Sequence, residues 1–327
     1  MSEVHKNLIV SSAPHIVRPA DTASIMRDVV IALIPALAVS TYVFGFRAII
    51  LTIACVAFCV FFEWISRKIM KRESTIGDWS AVVTGVILAF NLPVDMPLWM
   101  AAIGCFIAIV VVKQIFGGLG QNFANPAIVG RIALFIGFAT PMTFWRITDR
   151  MSQVIISNAG VDAVSGATPL AMLAAGAEKL PSHLEMFLGL INGSMGEIST
   201  VALIIGGIYL IVRKVITPAI PVSFLATVAL LSLIFGRDPI FELCAGGVML
   251  GAIFMATDYV TSPITTAGRI IFGIGCGLFT MLIRVYAAYP EGVSFAILLM
   301  NILTPHIDNL TKLKLNGVPK AKKGDAA

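Results

Sequence analysis

The sequence predicts an all-α polytopic membrane protein, with about ten transmembrane helices in a five-plus-five inverted repeat containing interrupted helices. Three observations carry this. Of 327 residues, 58% are hydrophobic and only 13% charged, with a mean hydropathy of +0.93; a soluble domain carries roughly 25% charged residues. The apolar runs are continuous and recur along the whole chain. That excludes an ordinary soluble enzyme, a disordered scaffold and an outer-membrane barrel, whose strands alternate over roughly ten residues. Finally, two of the runs are short and interrupted at corresponding places in two halves, which is how an internal repeat shows itself in sequence.

The first five apolar segments lie near 27–46, 48–66, 79–92, 98–116 and 126–141. The second five lie near 199–213, 218–235, 240–256, 269–284 and 292–307. A hydrocarbon core of about 30 Å takes roughly twenty helical residues. Segment 79–92 stops short of that at Asn91-Leu92-Pro93, and 240–256 stops just before Thr257-Asp258. Gly85 to Asn91 and Pro97 align with Gly251 to Thr257 and Pro263; Ile103-Gly104-Cys105 aligns with Ile274-Gly275-Cys276, and Phe123-Ala124 with Phe295-Ala296. Each half holds five spans, an odd number, so the second half enters the membrane with opposite orientation. The domains expected are a cytoplasmic N-terminal segment 1–26, a first repeat 27–141, an external loop 142–198, a second repeat 199–308 and a basic cytoplasmic tail 309–327.

Basic residues set the orientation. With the N-terminus inside, the inner segments hold Lys6, Arg18, Arg27, Arg67, Lys68, Lys71, Arg72, Lys113, Arg213, Lys214, Arg269, Lys312, Lys314, Lys320, Lys322 and Lys323. The outer segments hold Arg47, Arg146, Arg150, Lys179, Arg237 and Arg284, and Arg131 falls inside a span. Sixteen against six predicts both termini in the cytoplasm. The net charge of +5 therefore reads as topology and contact with the lipid bilayer. No basic stripe interleaved with aromatics supports nucleic-acid binding. Residues 1–26 hold no early apolar core, so no cleaved signal peptide is expected and the first span directs insertion. Cys55, Cys59, Cys105, Cys244 and Cys276 all lie inside apolar runs, and the four histidines are scattered. That distribution reads as small buried residues and gives no metal signature.

The outer loop contains Asp162-Ala163-Val164-Ser165-Gly166-Ala167-Thr168-Pro169-Leu170. Gly166 and Ala167 make a small, flexible approach to a Thr hydroxyl, and Pro169 interrupts regular structure after it. Read from the residues alone, this is either a turn or an extended peptide exposed for modification. Gly117-Gly118-Leu119-Gly120 neither follows a strand nor opens a Rossmann helix, so a dinucleotide site is not expected there.

Asp-x-x-Ser-Gly-Ala-Thr resembles a flavinylation motif, and the wider chain resembles the family of the Rnf complex's membrane protein RnfD. That complex is an ion-translocating ferredoxin–NAD electron-transfer assembly. The chain is more distantly similar to NqrB, the corresponding component of the sodium-pumping NADH–quinone oxidoreductase. The likeness runs through Gly117 to Ala127, Gly193-Ser194-Met195-Gly196-Glu197, Phe254 to Asp258 and Tyr289 to Ala296. The chain lacks the longer N-terminal extension of the quinone-linked relative, which favours the Rnf branch. The resemblance implies an electron-transfer subunit that is not catalytic alone, with FMN joined through its phosphate to Thr168 by a flavin transferase. Asp162, Ser165, Gly166 and Ala167 would form the rest of that motif. It also implies a second, non-covalent flavin such as riboflavin. Expected partners are the A, B, C, E and G components of the Rnf complex in a bacterial or archaeal plasma membrane, with electron flow between ferredoxin and NAD coupled to Na+ or H+ movement. Asp258, Glu197, Asn122 and Asn125 are candidates for an ion path or flavin site, with helix caps as the alternative. Glu242 and Asp95 read as interfacial. A solute transporter or channel is the rival function, since inverted repeats with broken helices serve both.

Overall fold

The computed structural model describes residues 21–145, 166–177, 180–287 and 291–312, and among them the regular structure is entirely helical. The first half comprises α1 (Thr22–Phe44), α2 (Phe46–Ile69), α3 (Ser80–Phe90), α4 (Leu98–Phe106, continuing as a π-helix over Ile107–Gln114) and α5 (Pro126–Gly137). A single helical turn at Ala139–Met142 follows, then two short helices, α6 (Pro169–Ala174) and α7 (His183–Leu188). The second half comprises α8 (Thr200–Val212), α9 (Ala219–Ile234), α10 (Pro239–Cys244), α11 (Val248–Leu250, continuing as a π-helix over Gly251–Met255), α12 (Thr266–Tyr286) and α13 (Val293–Leu310). Four helices, α1, α2, α12 and α13, are each long and apolar enough to cross a membrane. The third span of the second half is short, as the sequence predicts, but it is also broken internally, between Cys244 and Val248, rather than only at its Thr257-Asp258 end. Gly246 and Gly247, at φ +59 and +72, turn the chain between α10 and α11.

The pairing of helices repeats from one half to the other. In the first half α2 packs on α3 and α4, and α4 on α5; in the second, α9 packs on the π turn after α11 and on α12, and α12 on α13. The halves meet through their equivalent helices. α1 lies antiparallel to α8, with Asp28 near the start of α1 accepting from Tyr209 at 2.9 Å and pairing with Arg213 at 3.1 Å at the end of α8. α5 lies against α13, where Phe135 meets Phe295 edge-on. Inverted orientation of the two halves thus follows from contact geometry. We refer to the end carrying Arg67, Lys68 and Arg213 as the basic end and to its opposite as the far end.

The stretch 189–199 is not a free loop. The Met195 and Gly196 N–H groups donate to the carbonyls of Leu92 (3.1 Å) and Phe90 (2.8 Å), and Ser40 donates to the Met195 carbonyl. Irregular backbone at membrane depth survives only where protein satisfies it. Here one irregular segment is bonded by another.

Close approach of α1 and α8 depends on Gly206: a Cβ there would lie 2.2 Å from the Ala32 carbonyl oxygen, whereas one at Gly137 would meet nothing within 4 Å. Gly206→Val should lower the stability of the detergent-solubilised protein by about 1–3 kcal/mol, the usual cost of overpacking, while Gly137→Ala leaves it nearly unchanged. Equal melting midpoints for both variants would show that the two halves do not meet at Gly206.

Candidate functional site

Two places combine polar chemistry with an apolar frame, at opposite ends of the bundle. At the far end, Thr168 sits in extended backbone immediately before Pro169, which occupies the first position of α6. Its hydroxyl accepts the Ala171 N–H at 3.2 Å, the geometry of a helix N-cap, and Thr168 is only 5% exposed. The sequence alone puts this hydroxyl on an exposed loop; α6 instead docks it. Leu170 anchors α6 in a small core with Val43, Met186, Ile191, Ile198, Phe241, Cys244 and Ala245. Gly166 donates to the Trp145 carbonyl at 3.0 Å, and the Asn192 amide donates to the Ala167 carbonyl at 3.4 Å. Asp162 and Ser165 lie outside the described residues.

Beside this loop runs a buried chain of ions. Arg284 donates to the Glu242 carboxylate at 2.6 Å and to the Ala245 carbonyl at 2.7 Å, and Arg237 reaches the other Glu242 oxygen at 3.0 Å. Glu242, expected at the interface, is therefore fully buried between two guanidinium groups, because α10 folds back beneath the end of α12. Arg131, the charge that fell inside a span, joins the halves: it donates to Glu291 at 2.7 Å, Ser294 at 2.7 Å and Asn91 at 3.2 Å, and pairs with Glu197 at 3.4 Å. Glu197 packs against Gly247, where a Cβ would stand 2.4 Å from its carboxylate oxygen. Glycine at 247 thus serves both the left-handed turn and the passage of Glu197.

At the basic end a cleft of about 770 Å³, counting its mouth, opens among α1, α3, α8 and the loops after α4 and α11. Asn122, Asn125 and Asp258 line it together with Lys113, Ser80, Thr84 and Thr257 against walls that include Met26, Val29, Leu210 and Phe254. Three of the four candidate residues thus come together, and Glu197 stands apart at the far end. Asn125 caps α5, accepting from Ala127 at 3.0 Å, and donates to the Met255 carbonyl at 3.2 Å; Asn122 donates to the Ala124 carbonyl at 3.0 Å. Asp258 accepts from Thr261 at 3.1 Å and Val260 at 3.4 Å. The cap and cleft-lining roles coexist in the same side chains.

Sequence reasoning missed the buried pair Lys113–Glu63, at 2.7 Å with exposures of 2% and 0%. Lys113 and Arg284 count as loop charges when only topology is considered, but both fall within the apolar runs 98–116 and 269–284. That placement was the available signal.

The Glu291 carboxyl lies outside the spans. Burial pushes it up from 4.5 to about 7 against the pull of Arg131, and Glu197 adds to the rise. The folded protein therefore binds more protons than the unfolded chain between these values, so this group's contribution to stability falls as pH rises through that window. Glu291→Gln should flatten that part of the stability–pH curve, measured as melting midpoint from pH 4.5 to 7. An identical slope in the variant would mean the carboxylate is ionised throughout.

Comparisons with known proteins bear on the whole chain. A profile of the NQR2, RnfD, RnfE family matches residues 9–317. The D component of the Na(+)-translocating ferredoxin:NAD(+) oxidoreductase complex of Acetobacterium woodii is 51% identical over 97% of this chain and 98% of that relative. The proton-translocating counterpart of Clostridium ljungdahlii is 43% identical over 95% and 97%. The D component of the ion-translocating oxidoreductase complex of Alcanivorax borkumensis is 36% identical over 97% and 99%.

Proposed function

The chain belongs to the NQR2, RnfD, RnfE family, and on that premise we propose that it is the multi-pass membrane subunit of an Rnf-type complex. The complex passes electrons between ferredoxin and NAD and couples them to movement of Na+ or H+. The names of the relatives carry this reading, since they are oxidoreductase subunits rather than solute transporters. Its partners are the A, B, C, E and G components of the complex, and a flavin transferase during maturation. The membrane is the plasma (inner) membrane of a bacterial or archaeal cell, with the basic end and both termini in the cytoplasm.

FMN is carried on Thr168 through a phosphoester. The residues fit: among the described residues the Thr168 hydroxyl accepts one hydrogen bond and donates none, so esterification replaces its hydrogen and leaves the capping lone pair in place. Gly166 and Ala167 leave space on the approach. Because the hydroxyl is covered, attachment requires α6 to be undocked, which makes it a maturation step. A flavin supplies one- and two-electron chemistry while the protein orients it and tunes its potential. The residues on hand for that are Asn192, which holds the Ala167 carbonyl, and the Arg284–Glu242 pair beneath α6. A second, non-covalent flavin of the riboflavin type suits the cleft at the basic end. Its walls are largely apolar, and Asn122, Asn125 and Asp258 would offer the polar edge of a flat ring donors and acceptors.

Thr168→Ala removes the acceptor oxygen and one N-cap, so it should cost about 0.5–2 kcal/mol of local stability and abolish covalent flavin together with electron transfer through the complex. Ser165→Ala should at most lower attachment efficiency. Peptide mass spectrometry of protein made with its transferase reads this; an FMN adduct persisting in Thr168→Ala, or an unmodified Thr168 peptide in the wild type, sinks the assignment. Asp258→Asn should leave the flavin on Thr168 and weaken ion transport or electron transfer by the purified complex. Normal rates would reduce Asp258 to a loop cap.

A further inference from the structure

The two halves place a buried cation at the same position. The register that aligns Cys105 with Cys276 also aligns Lys113 with Arg284. Each reaches the start of its own broken third span. Arg284 donates to the Ala245 and Gly246 carbonyls; Lys113 donates to Ser80, the counterpart of Gly246, at 2.6 Å. Each is neutralised by a buried glutamate, Glu242 or Glu63. A position that required only fixed positive charge would be met by either residue. They differ in one chemical respect: a lysine gives up its proton when its surroundings demand it, whereas an arginine stays charged. Both side chains are buried, at 2% and 0% exposure, but the lysine lines the cleft whereas the arginine does not.

Lys113 is also one link in a continuous hydrogen-bonded chain to the basic-end surface. Ser80 donates to the Asp78 carboxylate at 2.5 Å, and Asp78 is half-buried in the 3-10 turn at Ile76–Asp78, next to exposed Trp79. Thr75 donates to the second Glu63 oxygen at 2.5 Å. With two of its three hydrogens directed to Glu63 and Ser80, Lys113 lines the cleft with Asp258 on the loop after α11. The charged or titratable groups around it are Glu63 from α2, Asp78 from the turn before α3, and Asp258. A buried ion pair is a poor source of stability, and this one borders the cleft.

We propose that Lys113, relayed through Ser80 and Asp78, delivers protons from the basic-end surface to a reducible ligand in the cleft. This rests on the reading that the cleft holds such a ligand. When that acceptor gains an electron from the redox chain of the complex and takes a proton, one N–H bond of Lys113 breaks. The amine left behind takes the Ser80 hydroxyl proton, and Ser80 is reprotonated through Asp78 from water. One proton has then crossed from the surface to the cleft, and Lys113 is again paired with Glu63.

The test uses the intact complex, reduced by ferredoxin in a stopped-flow instrument with a pH-indicator dye reporting proton uptake. Lys113→Arg keeps the charge and the glutamate partner but removes the relay. Uptake per bound flavin should slow on the order of 100-fold, the low end for a positioned acid–base group. Ser80→Ala, a smaller change, should slow it likewise, with partial rescue by a small weak acid such as formic acid. Wild-type uptake rates in either folded variant overturn the proposal. Acid precipitation of the wild type separates the premise: if no flavin is released, the cleft reading fails, whereas released flavin with normal uptake in the variants refutes the relay alone.

Discussion

Everything in this architecture depends on one constraint: backbone and charge that leave the helical pattern at membrane depth must be satisfied by protein, because lipid offers no hydrogen bonds. Two third spans, α3 and the α11 turn, end inside the bundle, and each end is closed from elsewhere. The carbonyls at Phe90 and Leu92 accept from Gly196 and Met195, and the Met255 carbonyl accepts from Asn125. The same demand explains the buried ions. Lys113 and Arg284 each bind a glutamate and the opening of a broken span, and Arg131 ties α5 to α3, α13 and the irregular stretch that carries Glu197. Removing one partner of a buried pair strands the other, at about 3–5 kcal/mol. These pairs therefore fix which elements meet, even where a hydrophobic substitute would pack as well.

Hydropathy and spacing made the spans legible, because continuous apolar runs and their interruptions are one-dimensional features. The reading near 79–92 becomes α3 at Ser80–Phe90, and the one near 240–256 becomes α10 plus α11 with its π turn. The break at Gly246-Gly247 could not be seen in the sequence: two glycines in an apolar run look like small packing residues until their left-handed backbone is known. Likewise Glu242 reads as interfacial from its position at the start of a segment, and only the return of α10 under Arg284 buries it. The side chains of Asn122, Asn125 and Asp258 come from loops more than a hundred residues apart, yet they share a cleft. Glu197 shares their residue chemistry but belongs to the other end. The covering of Thr168 depends on Leu170 finding Phe241 and Cys244 across the chain, a tertiary contact to which a local motif is blind.

Separation of the two sites is the organising consequence. Inverting one five-helix unit against another puts the Thr168 segment at one end and the amide- and carboxylate-lined cleft at the other, with the ion chain through Arg131 between the halves. For a membrane protein proposed to move electrons and cations in concert, that arrangement sets the Thr168 segment and the cleft at opposite ends of the bundle. Pseudo-symmetry also supplies an internal comparison: the half whose third span borders the cleft carries a lysine, and its counterpart in the other half is a sealed arginine.

The most direct measurement is therefore the sidedness of the two ends in sealed vesicles. The five native cysteines are all buried, so a single cysteine introduced at exposed Glu73 or Ala177 reports cleanly to a membrane-impermeant maleimide. The account requires position 73 to label only from the cytoplasmic face and position 177, a short way beyond Thr168, only from the opposite face. Labelling of both from the same side would contradict the inverted repeat and the division of function drawn from it.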